Sequence, residues 1–292
     1  VDNENGNFDY LMYANLDYKH PEVIENIYEW ADWFVETTGV QGFRMDAIKH
    51  IDSFFMRNFI RDVKEKQGQD FYVFGEFWNG DEQSNNDYLE NADYRFDVPL
   101  HNNLHKASLD GADYDLTTIF DHSLVKNHPE HAVTFVDNHD TQRGQALEST
   151  VEEWFKPAAY ALILLREDGL PCLFYGDYYG IEGEFAQENF QEILDTLLYA
   201  RKDLAYGEQT DYFDDPNCIG WTRSGNEDGS PLAVTISNDA ANSKSMEIGS
   251  DWAGQTFYDI LGNCSDTVTI DEDGWGDFPV SEKSVSVWTI QD

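Results

Sequence analysis

The sequence predicts a parallel α/β domain, either a barrel or an open sheet, followed by an antiparallel all-β domain of the sandwich or Greek-key kind. Three observations point there. Strand-like and helix-like segments alternate as far as about residue 203, the order in which βα units are laid down. After about residue 205 the texture changes to short alternating runs, "CIGWTRS", "LAVTISN", "TFYDI", "TVTI" and "SVSVWTI", set between turns rich in Asn, Gly and Asp. With 292 residues, 41% of them hydrophobic, the chain can bury a large core in two domains and is not a disordered acidic polymer.

The elements follow in order. "PEVIENIYEWADWFVETTG" (21–39) puts Val23, Ile24, Ile27, Ala31, Phe34 and Val35 on one face, with Pro at its start and Gly at its end, so it predicts an amphipathic helix. "GFRMDAI" (42–48) reads as a strand and "DSFFMRNFIRDVKEKQG" (52–68) as a second helix. "DFYVFGEFW" (70–78) and "HAVTFVDNHD" (131–140) read as strands rich in aromatic and β-branched residues. A capping box from Ser149 to Glu152 is expected to open the helix in "PAAYALILLRED". "LPCLFYG" (170–176) is a further strand and "NFQEILDTLLYARKD" (189–203) a further helix. No internal repeat and no low-complexity linker interrupts the series.

Charge excludes several partners. Eighteen Lys and Arg against 57 Asp and Glu give a net charge of −39, a field that repels nucleic acid and anionic membrane. The acids are scattered, as suits a solvated surface in salty surroundings or, equally, ordinary solubility charge. The three cysteines, Cys172, Cys218 and Cys264, are too far apart for metal spacing and odd in number, which excludes a disulfide framework; Cys172 is expected to be a small buried filler. No run is long and apolar enough to cross a bilayer. The opening "VDNENGNFDY" reads like the middle of a longer sequence.

In a barrel of βα units the reactive groups sit at the C-terminal ends of the strands. Asp46, Glu76 and Asp140 fall there on three predicted strands. An acid at such a position can simply cap the next helix. These three, however, each stand beside Arg, His or Trp. Two carboxylates facing one another are the minimum equipment for glycoside hydrolysis, one ionised to attack the sugar carbon and one protonated to release the leaving oxygen. Arg44 lies two residues before Asp46 on a strand, so it points to the same side and would hold that aspartate ionised. Glu76 lies among aromatics, surroundings that raise a carboxyl pKa as an acid catalyst requires. An Arg–Asp pair alone is as often a structural ion pair; the neighbouring "GEFW" and "VDNHD" favour chemistry.

"GFRMDAIKH", "GEFW" and "FVDNHD" resemble, in that order, three signature regions of glycoside hydrolase family 13, the α-amylase family. The likeness extends over nearly the whole chain, through "DVPLH", "STVEEWFKP", "FYGD" and "GWTR" to "GWGDFPV", and is nearest to the calcium-dependent liquefying enzymes of bacteria. The resemblance implies a (β/α)8 TIM barrel, of which only the later strands are present, followed by a Greek-key domain. On that reading residues 1–20 end a B domain and its calcium loop, 21–204 form the C-terminal part of the catalytic barrel, and 205–292 form β-sandwich domain C.

The activity implied is endo-acting hydrolysis of α-1,4-glucosidic bonds in starch or glycogen, with anomeric configuration retained through a covalent glycosyl-enzyme. Asp46 would be the nucleophile, Glu76 the acid that then turns base, and Asp140 the group that binds hydroxyls of the distorted sugar. His139 would bond the same sugar and Arg44 would orient Asp46. Lys49 and His50 would line the leaving-group side. Trp78 would offer a flat face to a sugar ring, or merely pack in the barrel. Retention places the two carboxyls about 5–5.5 Å apart.

"NFDYLMYANLDYKHP" carries Asp9, Asn15 and Asp17, hard oxygen ligands that suit Ca²⁺ or are simply solvated turn acids. The resemblance implies one calcium on Asp9, Asn15 and the carbonyl of His50. Further metals of the family are not expected here, because this sequence departs from the pattern. Lys19 replaces an acid near Asp17, and a site between barrel and C-terminal domain would fall on the neutral Asn217 and Asn238. Alternatives to the endo-hydrolase are a transglycosylase, an exo-acting glucosidase, or a non-catalytic carbohydrate-binding fragment. The expected partners are an α-glucan and the N-terminal part of the barrel; the protein is otherwise expected to be a secreted monomer, its acidic surface suited to a saline medium.

Overall fold

The structure is a computed structural model that describes residues 16–80, 94–227 and 229–290. It divides into two units: one reaches Pro99 and includes His122–Val133, and the other takes Leu100–Asp121 and the chain from Thr134 onward.

In the first unit, helix α1 (Pro21–Thr38) begins with proline in its first turn. It stops at Gly39, whose φ of 68° is left-handed and whose N–H returns to the Val35 carbonyl. Helix α2 (Ser53–Gln67) is opened by the Asp52 carboxylate, which accepts the Phe55 N–H at 2.7 Å. Its apolar residues recur at helical spacing, and Phe55, Met56, Phe59, Ile60 and Val63 join Ala31 and Val35 of α1 in one buried cluster. Strands β1 (Gly42–Met45), β2 (Tyr72–Gly75), β3 (Tyr94–Phe96) and β4 (Ala132–Phe135) pair in parallel, each with the next. Arg44 stands opposite Phe74, and Met45 opposite Gly75. Gly42 is needed where β1 meets β2, because a Cβ there would lie 2.4 Å from the Tyr72 carbonyl oxygen. Helix α3 (Val98–Asp110) leaves β3 and belongs to the second unit from Leu100 onward, and the short α4 (Leu124–Asn127) offers two N–H groups to the buried Asp97 carboxylate.

The second unit carries α5 (Lys156–Leu164), β5 (Leu170–Cys172, next to β4 in the sheet order), α6 (Tyr175–Tyr179) and α7 (Gln191–Asp203). The antiparallel part has six strands in the order β11-β10-β13-β8-β7-β6, and β12 pairs with β9. In chain order these are β6 (Gln209–Tyr212), β7 (Cys218–Arg223), β8 (Leu232–Ser237), β9 (Asn242–Glu247), β10 (Thr256–Asp259), β11 (Thr267–Thr269), β12 (Trp275–Val280) and β13 (Ser284–Ile290). The final strand returns to lie between β10 and β8, the non-sequential placement of Greek-key wiring. Strands β7 and β8 are buried along their whole length, whereas β9 alternates between exposed and buried. No helix among the described residues is long and apolar enough to cross a membrane.

The expected α/β and all-β halves are present, with differences of detail. The strands of the first half end earlier than their apolar runs, because the chain turns out of the sheet after Met45, Gly75 and Phe135. No capping box forms. The Ser149 hydroxyl meets the Leu147 carbonyl and His101, and α5 begins only at Lys156, since Asp137 draws in the Thr150 hydroxyl and Val151 N–H before it. Cys172 is half-buried, and Cys218 is the buried filler instead, its thiol pushed up to about 11 by burial.

Candidate active site

The end of β1 is held in place by the end of β2. Glu76 N–H donates to the Met45 carbonyl at 2.8 Å, and Ile48 N–H donates to the Glu76 carbonyl at 3.0 Å. Between them Ala47 has a φ of 50°, a left-handed conformation uncommon for a residue with a Cβ. That turn aims the Ala47 N–H at Glu76 Oε2, 3.0 Å away. Asp46 is thereby left out of the backbone pairing and caps nothing. Arg44, two residues earlier on the same side of β1, reaches both acids: Nη1 lies 2.6 Å from Asp46 Oδ1 and Nη2 lies 3.7 Å from Glu76 Oε2. One guanidinium therefore serves two carboxylates from adjacent parallel strands.

The two acids differ in environment. The Asp46 side chain is 69% exposed and that of Glu76 only 9%. An open carboxylate with one cationic partner is suited to attack. An enclosed one beside an apolar strand is suited to handle a proton. The surroundings of Glu76 are nevertheless less apolar than its sequence neighbours imply, because the Ala47 N–H and Arg44 both face it. Lys49 Nζ donates to the Trp78 carbonyl at 3.1 Å, and burial lowers the Lys49 pKa. His50 and Trp78 are half-buried.

In the second unit the chain leaves β4 through a tight turn. Asn138 Oδ1 accepts the Asp140 N–H at 2.8 Å and the Thr141 N–H at 3.0 Å. His139 and Asp140 stand together at its tip, Nε2 to Oδ2 3.3 Å, with side chains 64% and 37% exposed. Sequence reasoning missed what anchors the turn. Asp137 accepts from Thr141 Oγ1 (2.9 Å), Thr150 Oγ1 (2.9 Å) and the Val151 N–H, and pairs at 2.9 Å with Lys156. Lys156 also pairs with Asp177, which takes the Tyr160 hydroxyl at 2.5 Å and the Gln187 amide at 2.8 Å. Burial raises the Asp137 pKa against the pull of Lys156. The available signal was a lysine heading an otherwise apolar helix, a position that calls for a buried counter-charge.

Residues 6–227 match the family model described as the alpha amylase catalytic domain, and 232–289 match the alpha-amylase C-terminal model. The chain belongs to the alpha-amylase family. It is 49% identical, over 99% of its length, to an alpha-amylase of Geobacillus stearothermophilus, of which it covers 53%. It is 50% identical, again over 99%, to a glucan 1,4-alpha-maltohexaosidase of Bacillus sp. (strain 707), of which it covers 56%. The chain thus spans about half the length of the curated relatives it matches. A crystal structure of an Anoxybacillus alpha-amylase superposes with a TM-score of 0.72 over 94% of this chain and 64% of that one, and at 22% identity it speaks to the fold.

Of the residues that the resemblance gives to calcium, Asp9 and Asn15 lie outside the described residues. Asp17 is exposed and its carboxylate accepts the Lys19 N–H at 3.0 Å, while the Lys19 ammonium lies 3.9 Å from Asp52. Among the described residues no three His, Cys, Asp or Glu side chains are grouped to hold a metal. At Asn217 and Asn238 side-chain amides do the linking. Asn217 Nδ2 donates to Asn238 Oδ1 and to the Ala112 carbonyl, and Asn238 Nδ2 donates to the carbonyls of Gly111 and Tyr114, all within 2.8–2.9 Å.

Proposed function

We propose that this chain carries the nucleophile and the acid/base of an endo-acting α-1,4-glucan hydrolase that retains configuration. The observation that supports it is the Arg44 guanidinium shared by Asp46 and Glu76 at the ends of neighbouring parallel strands. Arg44 holds the Asp46 carboxylate by a charge-assisted hydrogen bond and fixes its direction. Asp46 attacks the anomeric carbon while the bond to the leaving oxygen breaks, and Glu76 gives that oxygen its proton. The Glu76 carboxylate then takes a proton from water as the water oxygen attacks the same carbon, which frees Asp46. Asp140 and His139 bind hydroxyls of the sugar in this reading, Lys49 and His50 lie on the leaving-group side, and Trp78 supplies a stacking face.

Two relatives of nearly equal identity are named for different activities, an alpha-amylase and a maltohexaosidase, so the endo mode rests on the family signatures. Glu76→Gln, made in the protein with its complete barrel, is expected to keep starch binding and lose turnover by about four orders of magnitude or more. Undiminished turnover would refute the assignment. Release of products from an end-blocked maltooligosaccharide tests endo against exo action. The same proposal includes one calcium on Asp9, Asn15 and the His50 carbonyl, with Asp17 close by. Its support is the resemblance alone, and a melting temperature unmoved by chelator would remove it. Secretion is inferred from the acidic surface and polymeric substrate; activity confined to the cell lysate would contradict it.

A further inference from the structure

Acids outnumber bases by 57 to 18 in this chain, yet four of the bases, Arg166, Arg201, Lys202 and Arg223, line one pocket of about 570 Å³ in the second unit. Glu167 is the one acidic side chain in its lining. Arg166 is satisfied, since its terminal nitrogens meet the Asp211 carboxylate at 2.7 and 2.8 Å. The other three have no carboxylate within ion-pair distance among the described residues. Arg223, only 7% exposed, gives Nε and Nη2 to the Gly207 carbonyl, and its Nη1 has no partner among the described residues. Arg201, half-buried near the end of α7, gives Nη1 to the Leu164 carbonyl, and its Nε and Nη2 have no partner among the described residues. Lys202 is exposed at the rim. Burial lowers the Arg223 pKa, Glu167 and Asp168 oppose that shift, and Arg201 and Arg166 add to it, so these charges bear on one another across the pocket.

Arg223 is buried without a carboxylate at ion-pair distance among the described residues, a costly placement in a chain with ample means to pair it. We propose that this pocket is a binding site for a small oxyanion of the phosphate class, held by the open nitrogens of Arg201 and Arg223 and by Lys202. Guanidinium edges offer paired N–H donors that match two oxygens of one anion, a geometry that a spherical chloride cannot use. The net charge of −39 opposes any anion at low salt. At about 0.15 M salt the screening length is about 8 Å, so distant acids fade while the contacting cations do not. The site is separate from the residues proposed for glucan hydrolysis and does not rest on that reading.

The test is titration of the protein with inorganic phosphate and with chloride at equal ionic strength, followed by calorimetry and thermal melting. Saturable binding of one phosphate per chain is expected, with a rise in melting temperature that chloride does not reproduce. Arg201→Gln should weaken phosphate binding about tenfold or more, Arg201→Lys by less, and Lys202→Gln about threefold. Equal responses to phosphate and chloride, or undiminished phosphate affinity in Lys202→Gln, would overturn the proposal. The Lys202 side chain has no partner among the described residues, so the second result remains decisive even if Arg201→Gln fails to fold.

Discussion

Two clusters in this protein share one composition, a cation between two carboxylates, and differ in nearly everything else. Arg44 with Asp46 and Glu76 opens to solvent through the 69% exposed Asp46 side chain. Lys156 with Asp137 and Asp177 is sealed, with side-chain exposures of 1%, 0% and 0%. In the sealed cluster the acids also take hydroxyls of Thr141, Thr150 and Tyr160, the Gln187 amide and the Val151 N–H. In the open cluster Asp46 bonds Arg44 and, among the described residues, nothing else. Charge does not distinguish the proposed reactive site from the structural one here. Unspent lone pairs do, because a fully bonded carboxylate has nothing left to offer a substrate.

Substitutions should split along that line. Asp46→Asn is expected to cost about four to six orders of magnitude in turnover and to leave the unfolding midpoint within about 0.5 kcal/mol of the parent. A large loss of stability would erase the contrast. Lys156→Met should do the reverse, destabilising by about 3–5 kcal/mol because two buried acids lose their counter-ion, as urea unfolding would report. A variant as stable as the parent would mean that water reaches the cluster.

Acid should attack the sealed region first. His101 lies beside it, its ring nitrogens 2.6 Å from the Val136 carbonyl and 2.9 Å from Ser149 Oγ, and burial lowers its pKa from 6.5 to about 4. The unfolded chain therefore takes up this proton before the folded one. The associated stability is fully present above pH 6.5 and is lost as pH falls toward 4, by about 3 kcal/mol. His101→Gln should flatten the stability profile across that window, and an unchanged slope would assign the acid sensitivity elsewhere. The smallest effect concerns the acidic surface. Raising NaCl from low to molar concentration should lift the melting temperature by a few degrees as self-repulsion is screened. A flat or falling melt would show that ion pairs such as Arg44–Asp46 outweigh repulsion.

The open cluster was legible in the sequence because strand periodicity alone puts Arg44 and Asp46 on one side, and "GEFW" supplies the acid of the next strand. The α/β and β halves were legible from their changing periodicity. The sealed cluster was not, because its members are spread from Asp137 to Gln187 and meet only through the turns that follow β4 and β5. Ser149 and Glu152 misled for a related reason. A four-residue capping pattern is local, and the long-range demand of Asp137 for hydrogen bonds outcompeted it. Strand β3 and helix α3 escaped because three residues, or a helix with little amphipathic contrast, give periodicity too little to work with.

Asn217 and Asn238 join segments more than a hundred residues apart in sequence using neutral amides. Such a stitch carries no proton to lose, attracts no counter-ion and needs no dissolved cofactor. It should hold with the same strength in brine, in fresh water and in acid, and give a heavily charged molecule one seam indifferent to its medium.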